Sequence, residues 1–295
     1  MQISERHHPL RLFIGSGMPR GLWQRVERRF RPARVVEFYA STEAGAILVN
    51  LRGSKPGAMG RPLPGSAEVR IAQYDVEAQG LVLDRDGFAR HCGVDEVGML
   101  LARVSPTDQL SITPLRSLFA ADDAWVVTGD LFRRDAAGDY WRVDGVGDVI
   151  HTADGPVFST PIRDALGDLD AVDLALAYGV RAGGATAEIA VAAVTLRSGV
   201  ELTAREVSRA LSALPPDERP AVVHVVDRIP MTTWFRPRTE ALREAGIPEP
   251  EDGLQAWYLD AGGEQYRRLS AAARRRLAKG SGASPKPGAS RPSTA

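Results

Sequence analysis

The order of apolar runs near the N-terminus constrains the fold most. Residues 10–14 are apolar except for Arg11 and lead into the glycine-bearing loop GSGMP at residues 15–19, and a second run, apolar except for Glu37, follows at residues 35–38. Between these runs, three apolar residues recur at helical spacing: Leu22, Val26 and Phe30. A strand, a loop, a helix and another strand in this order are typical of a mainly parallel sheet covered by helices. We therefore expect an α/β opening in which that apolar stripe of the helix is buried.

Two changes of pattern follow this opening. Residues 53–104 hold short apolar runs between Gly and Pro turns, which predicts a small β-rich subdomain, and a pair of strands bends at residues 137–139. After Asp144, helical and strand patterns alternate as in a compact α+β domain, and Thr203 and Glu206 have the spacing of a capping box. The predicted fold class is therefore α/β and α+β.

The predicted domain limits follow from composition. The stretch DGVGD at residues 144–148 is a candidate flexible hinge, and the residues after Leu277 are poor in apolar side chains. A segment of that composition cannot bury enough apolar surface to fold. We predict a first domain at 1–143, a compact α+β domain at 144–277 and a disordered tail at 278–295.

Charge and cysteine content exclude several classes of protein. The 37 basic and 37 acidic residues balance, so the charge does not favour a nucleic acid partner. The single cysteine, Cys92, excludes an intrachain disulfide framework and fits a reducing compartment. No apolar run reaches the roughly 20 residues that span a bilayer, so no transmembrane segment is expected. The expected location is cytoplasmic. The basic cluster at residues 267–276 leaves peripheral membrane contact open, although a solvated helix face explains it as well.

The stretch EFYASTEAG at residues 37–45 places three chemically different groups close together. Tyr39 offers an aromatic face, Thr42 a hydroxyl and Glu43 a carboxylate. A ring can stack on a base, and the two oxygen-bearing groups can hold phosphate or a hydrated metal ion. A polar loop after a strand that ends at Phe38 explains the same residues, and the stretch alone leaves both alternatives open.

Five motifs in order carry a resemblance to a known family. They are GSGMP, EFYASTEAG, the segment from Tyr74 to Val104, VVTGDLFRRDAAGDYWRVDGVGD, and TTWFRPRTEALREAGIP. Together they resemble the C-terminal half of an adenylate-forming (AMP-binding) acyl-CoA synthetase. They are most similar to the branch of fatty-acid transport proteins and very-long-chain acyl-CoA synthetases. The likeness extends from about Arg11 to Leu277.

The resemblance implies a two-step ligation of a fatty acid to CoA. The acid would attack the α-phosphate of ATP to give an acyl-adenylate and pyrophosphate, and the thiol of CoA would then displace AMP. The implied cofactors are ATP or AMP, Mg²⁺ and CoA, and the implied partners are a nucleotide and a fatty acid. Rotation of the smaller C-terminal domain between the steps would let one site serve both reactions.

The resemblance also implies which residues bind the nucleotide. Gly15 and Gly17 would let the backbone approach it, and Tyr39 would stack on adenine. Asp130 would accept hydrogen bonds from both ribose hydroxyls, which suits a carboxylate with two oxygens. Each of these residues has a structural alternative, namely glycines of a plain turn, a core tyrosine, and a turn aspartate that caps its own backbone.

Three residues are implied in catalysis. Thr42 would hydrogen-bond the α-phosphate, and Glu43 would hold the metal, Mg²⁺, which neutralises charge as pyrophosphate leaves. Arg236 stands where the family carries the lysine that bridges carboxylate and phosphate during adenylation. Arginine keeps the charge, but its planar fork differs from a compact ammonium group.

Two other departures from the family cut against full activity. The Ser/Thr/Gly-rich phosphate loop, which lies N-terminal to EFYASTEAG in the family, has no counterpart in this sequence, and neither has the fatty-acid tunnel. Gly145 replaces a hinge arginine expected to contact ribose, and glycine offers no side-chain donor. No lysine lies close in sequence to position 236, so none stands in for the family's lysine from a neighbouring position. The three lysines of the chain are Lys55, Lys279 and Lys286.

Two functions therefore stay open. The first is a fatty-acid–CoA ligase (AMP-forming) segment that is incomplete or degenerate as an isolated chain. The alternative is a noncatalytic pseudoenzyme module that binds nucleotide or docks a partner, so the sequence leaves open whether the chain is an enzyme. Because the first sheet lacks the half that covers it in the family, we expect it to pair with a missing N-terminal half or with another chain.

Overall fold

The computed structural model describes residues 7–105, 112–182, 185–233, 236–251 and 253–279. The chain forms two compact units. The first consists of Met1–Val149 and Phe158–Asp170, and the second of Ile150–Val157 and Ala171–Ala295. The domain limits predicted from the sequence stay a prediction, and residues 280–295 of the expected tail lie outside the described residues.

The first sheet begins with the strand, helix and strand that the sequence predicts. β1 (Leu12–Gly15) and β2 (Arg34–Ser41) pair in parallel and are connected by α1 (Arg20–Arg29). β3 (Ala46–Asn50) and β4 (Arg61–Pro62) extend this sheet with antiparallel pairing, in the order β1-β2-β3-β4. β1 is therefore an outer strand of the described sheet.

The buried side of α1 differs from the predicted apolar stripe. Trp23 is fully buried and Gly21 is buried, whereas Leu22 is 38% exposed. A β-carbon at Gly21 would lie 2.1 Å from the carbonyl oxygen of Gly167, the last residue of α2 (Ser159–Gly167). The helix packs closely through the side that carries Gly21 and Trp23. The prediction that Leu22 is buried is therefore wrong, because helix–helix contact selects a different face.

A second, antiparallel sheet forms the β-rich part of the first unit. It runs in the order β10-β9-β7-β5-β6, and β8 also pairs with β9. Phe132 and Leu100 of this sheet share a core with Leu48 of the first sheet. The predicted bend at residues 137–139 is confirmed, and Gly138 there has a φ of 87°. The strands are β5 (Val69–Asp75), β6 (Gly80–Leu81), β7 (Gly98–Arg103), β8 (Leu115–Arg116), β9 (Ala124–Arg134) and β10 (Tyr140–Gly145).

The second unit contains a two-stranded and a five-stranded sheet. The larger sheet has the order β13-β14-β15-β16-β17, and β14 and β15 are its parallel pair. The capping box of Thr203 and Glu206 is confirmed at the start of α3. The strands are β11 (Ile150–Thr152), β12 (Gly155–Val157), β13 (Val172–Val180), β14 (Ile189–Leu196), β15 (Val222–Val225), β16 (Ala256–Leu259) and β17 (Tyr266–Arg268). The helices are α3 (Ala204–Leu211), α4 (Glu240–Ala245) and α5 (Ala271–Ala278).

Two general features bear on the class of protein. Among the described residues, no helix has the length and apolar character needed to cross a membrane.

Burial, with a smaller contribution from Glu96, raises the pKa of the Cys92 thiol to about 12. The thiol is therefore protonated at neutral pH, as expected for a packed cysteine.

Candidate functional site

Tyr39 lies inside a strand and not in the loop after it. β2 continues to Ser41 because its second half pairs with β3, where Tyr39 lies opposite Leu48. The chain turns only at residues 42–45. The predicted strand end at Phe38 is therefore wrong. The hairpin partner, which local sequence does not show, extends the strand and holds Tyr39 in the sheet.

Asp130 also lies within a strand, where the sequence predicts a turn. β9 runs through the TGD stretch, but its pairing with β7 is irregular opposite Met99–Leu101. Gly129 has a φ of 78°, a conformation that favours glycine. The Thr128 hydroxyl donates to the carbonyl of Leu100 at 2.8 Å and accepts from the Asp130 N–H at 3.2 Å. Irregular strand pairing of this kind redirects side chains, and here the irregular stretch lies directly before the Asp130 carboxylate.

The structure brings Tyr39 and Asp130 together and adds Arg142. The Tyr39 hydroxyl donates a hydrogen bond of 2.8 Å to Asp130 Oδ2. On the other side, Arg142 Nε and Nη2 lie 2.9 Å and 2.8 Å from Asp130 Oδ1. The side chains of Asp130 and Arg142 are 21% and 29% exposed. Because a carboxylate has about four acceptor positions, Asp130 keeps capacity for a further ligand from solvent.

The Tyr39 ring is anchored on the core. It packs edge-on against Phe132, with ring centroids 5.0 Å apart, and Phe132 is fully buried. Burial, followed by the charge of Asp130, raises the pKa of Tyr39 well above its usual value. The hydroxyl therefore stays protonated and acts as the donor to Asp130. The ring and the carboxylate therefore form one hydrogen-bonded pair.

The glycine loop after β1 is held by a carboxylate of β2. Glu37 Oε1 accepts hydrogen bonds from the N–H of Gly17 and, at 2.9 Å, from the N–H of Met18. Glu37 is fully buried, and its Oε2 finds no partner among the described residues. A β-carbon at Gly15 would lie 3.1 Å from that oxygen, so glycine lets the loop approach Glu37 closely. Gly17, with a φ of 86°, allows the turn that exposes two N–H groups to one oxygen.

Burial raises the pKa of Glu37, against the effect of the two backbone hydrogen bonds and of the Arg163 charge. The prediction that Gly15 and Gly17 approach a nucleotide stays a prediction. The structure shows that a buried acid fixes the shape of the loop they form.

Thr42 and Glu43 lie in the turn between β2 and β3, and both are exposed. Among the described residues, no group of three or more His, Cys, Asp or Glu side chains gathers at one point. A single exposed carboxylate fits a Mg²⁺ ion that is held mainly by phosphates and water, which is the usual way this ion is bound. Glu43 as a metal ligand and Thr42 as a phosphate ligand stay predictions.

Arg236 belongs to the second unit and to a different local structure. Its N–H donates to Thr232 Oγ1 at 3.0 Å, and its carbonyl oxygen accepts from the Thr232 N–H at 2.8 Å. These bonds close a short loop, and Arg236 is exposed on it. The role of Arg236 in adenylation stays a prediction.

A separate pocket in the first unit surrounds Lys55, between β3, β4 and the bend before β10. Lys55 Nζ lies 2.7 Å from Asp135 and 2.6 Å from Asp139. Burial alone would raise the pKa of Asp135, but hydrogen bonds from Lys55 and from the Trp141 indole lower it below its usual range. Lys55 therefore holds the bend of the β9–β10 hairpin, and this pocket contains none of the predicted site residues.

Two residues of the site are absent from the sequence-based predictions: Glu37 and Arg142. Glu37 precedes Tyr39 by two residues in the same strand, so the strand period places both on one face and could have indicated it. Arg142 has no comparable signal. Its contact with Asp130 depends on the register of β10 against β9, which the sequence does not show.

Comparison of the sequence with curated proteins identifies relatives. No protein-family model matches the chain. A medium/long-chain-fatty-acid–CoA ligase of Mycobacterium tuberculosis is 29% identical over 278 residues, which cover 87% of this chain and 46% of that protein. Human long-chain fatty acid transport protein 5 is 28% identical over 286 residues, covering 92% of this chain and 41% of that protein. The chain is homologous to these proteins.

Comparison with solved structures identifies the fold. Apo MatB from Rhodopseudomonas palustris superposes with a TM-score of 0.60 at 22% identity, covering 80% of this chain and 45% of that one. An anthranilate CoA ligase in complex with anthranoyl-AMP gives a TM-score of 0.59 at 18% identity, again over 80% and 45% of the two chains. The chain has the fold of the C-terminal half of an adenylate-forming enzyme. It spans about half the length of the relatives it matches.

Proposed function

We propose that this chain is the nucleotide-binding segment of an AMP-forming fatty-acid–CoA ligase, and that the isolated chain binds AMP or ATP without completing adenylation. The observation that carries the proposal is the convergence of Tyr39, Asp130 and Arg142. An aromatic ring, a carboxylate and a guanidinium from three strands meet at one place that solvent reaches. A nucleoside phosphate has complementary parts: a base to stack, hydroxyls to donate and an anionic group.

The proposed chemistry uses each residue in turn. The Tyr39 ring stacks on adenine, and its bond to Asp130 fixes the carboxylate that accepts from the ribose hydroxyls. The loop carrying Gly15 and Gly17 approaches the nucleotide in the shape that Glu37 sets, and Thr42 donates to the α-phosphate. Mg²⁺, where bound near Glu43, supplies positive charge against the phosphates. The proposed second substrates are a fatty acid and CoA, the classes that the relatives' names indicate.

We infer incomplete catalysis from the residue at position 236 and from the share of the ligase that this chain spans. Position 236 carries arginine where the family carries lysine, and the chain spans 46% of the M. tuberculosis ligase it matches. Loss of one preorganised charge-stabilising group typically lowers the rate by about a hundred- to thousandfold. Positioning supplies most of phosphoryl-type catalysis, so the parts of the ligase outside this chain contribute more.

Nucleotide titration tests the proposal. We expect weak binding of AMP to the purified chain, and we expect Asp130→Ala to abolish it because the ribose acceptor is lost. Asp95→Ala is a matched control, because Asp95 pairs with Arg133 on the same sheet and not with Tyr39. Titration calorimetry that shows no binding to the native chain, or equal binding to Asp130→Ala, contradicts the proposal.

A docking role has its own support in the exposed face of β1. Leu12 and Ile14 of β1 are 47% and 66% exposed, Leu10 just before the strand is 41% exposed, and β1 is an outer strand of its sheet. An outer strand with alternate exposed apolar side chains is a template for pairing with another chain. We propose that the complementary N-terminal half of a ligase-type polypeptide covers this strand, because the relatives are about twice as long as this chain.

Coexpression tests this docking surface. The chain is expressed with the N-terminal half of the M. tuberculosis ligase, and size-exclusion chromatography measures the complex. We expect a one-to-one complex that the double variant Leu12→Asp/Ile14→Asp loses and that Leu83→Asp, at an exposed leucine elsewhere, retains. A chain that only self-associates, or a complex that survives the double variant, overturns the docking role.

A further inference from the structure

We propose that Arg142 is a nucleotide-binding residue that takes the place of the side chain missing at Gly145. The inference rests on the proposed function and names the group that contacts the sugar–phosphate part of the ligand. Arg142 binds Asp130, and position 145 carries no side chain. The geometry of β9 and β10 connects these facts.

Strand register explains how residue 142 reaches the place expected for residue 145. Gly145 lies directly opposite Asp130, and Arg142 lies opposite Phe132. In a regular strand, residues three apart point to opposite faces. The pairing of β10 shifts between Arg142 and Asp144, so one extra residue, Val143, is inserted there. This bulge brings positions 142 and 145 to the same face as Asp130.

Space at position 145 is already occupied. A β-carbon there would lie 3.0 Å from Asp148 Oδ2 and 3.1 Å from Arg142 Nη2. The same β-carbon would lie 3.8 Å from Asp130 Oδ1. The guanidinium group of Arg142 therefore fills the space where a side chain at 145 would begin. Glycine at 145 and arginine at 142 therefore fit together. A side chain at 145 beside Arg142 would make a close contact, and glycine at 145 without Arg142 would leave a gap.

The guanidinium group has capacity for a ligand as well as for Asp130. Its Nε and Nη2 both bond to Asp130 Oδ1, which restrains the carboxylate on the side opposite Tyr39. Arginine carries five N–H donors, so others remain for an acceptor that enters from solvent, and the side chain is 29% exposed. Such an acceptor is an oxygen of the ribose or phosphate, since guanidinium groups match these oxygens well.

The test measures binding of AMP, adenosine and adenine by ligand-detected NMR. We expect Arg142→Ala to weaken AMP about tenfold to a hundredfold, which corresponds to loss of a hydrogen bond to a charged group. Binding of adenine, which has neither ribose nor phosphate, should be unchanged, because Tyr39 and its packing on Phe132 remain. An equal loss for AMP and adenosine identifies a ribose oxygen as the partner, and a larger loss for AMP identifies a phosphate oxygen.

Two further variants make the test specific. Arg133→Ala removes an arginine of similar exposure, 33%, from the neighbouring strand and should leave AMP binding within about twofold of the native value. The double variant Arg142→Ala/Gly145→Arg moves the guanidinium to the position opposite Asp130 and should recover most of the affinity. Circular dichroism checks that each variant is folded.

The outcomes separate this inference from the proposed function. Native chain that binds none of the three ligands contradicts the proposed function and this inference with it. Native binding of AMP together with unchanged binding by Arg142→Ala overturns the inference alone. Equal losses in Arg142→Ala and Arg133→Ala, or a loss of adenine binding equal to that of AMP, also overturn it, because the effect would then be structural.

Discussion

At the scale of single residues, the buried carboxylate of Asp144 makes the stability of the folded chain depend on pH. Asp144, next to Gly145, is 1% exposed and accepts hydrogen bonds from the N–H and hydroxyl of Ser159 at 2.5 Å and 2.9 Å. Burial raises its pKa to about 6 in spite of these bonds; the charge of Asp148 adds to the rise and that of Arg142 opposes it. Asp144 thus binds its proton more tightly in the folded than in the unfolded chain.

The Asp144→Asn variant should therefore change the pH dependence of stability. Because the folded pKa is raised, the contribution of Asp144 is fully present below about pH 4 and is lost as pH rises through about 6. Over this window the free energy of unfolding should fall by up to about 3 kcal/mol in the native chain relative to the variant. Urea unfolding between pH 4 and 7 measures the difference.

Comparison of the native chain with the Asp144→Asn variant cancels the contributions of other titrating groups to the pH dependence of the free energy of unfolding. Burial lowers the pKa of His224 to about 4, so His224 changes stability with the opposite sign in the same pH range. His224 is present in both proteins, and its effect cancels in the difference. Parallel stability curves for the native chain and Asp144→Asn would show that Asp144 titrates normally.

At the scale of elements, local sequence patterns predict those features of the fold that do not depend on which strands pair or in what register. The capping box at Thr203 and the parallel β1–β2 pair are set by short-range spacing and are as predicted. The positions of Tyr39 within β2 and of Arg142 beside Asp130 are set by strand partners and by a one-residue bulge. Register of this kind depends on contacts between distant segments, which periodicity in one segment cannot show.

The capping box of α3 is a direct test of an element. The Thr203 N–H donates to Glu206 Oε2 at 2.9 Å, and the Glu206 N–H donates to Thr203 Oγ1 at 3.3 Å. Thr203→Ala removes the acceptor for an N-terminal N–H of the helix, so it should lower the free energy of unfolding by about 1 kcal/mol. Thr203→Ser keeps the hydroxyl and should cost much less. Equal losses for both variants in urea unfolding would show that the cap contributes little.

At the scale of the whole molecule, the chain is one part of a larger fold. It has the fold of half an adenylate-forming enzyme and covers 41% to 46% of the relatives described above. The sequence motifs predicted this fold and relationship because they survive in order along the chain. They could not predict the contact of Arg142 with Asp130, which depends on the register of β10 against β9.

The isolated chain should not form an acyl-adenylate. Fatty-acid-dependent exchange of labelled pyrophosphate into ATP measures this step, and we expect no exchange above the blank. The reason is what the resemblance implies: the phosphate loop has no counterpart in this sequence and Arg236 stands in place of a lysine, and loss of such positioning and charge-stabilising groups lowers the rate. Robust exchange by the purified chain would show that Arg236 and the described residues suffice.

Photolabelling locates the nucleotide that we propose to bind at the Tyr39–Asp130 pair. The chain is irradiated with 8-azido-AMP, and mass spectrometry locates the modified peptide. We expect label on the peptide that contains Tyr39, with protection by excess AMP and loss of label in Asp130→Ala. Label that lies elsewhere on the chain, or that AMP does not displace, would show that the nucleotide does not bind at this pair.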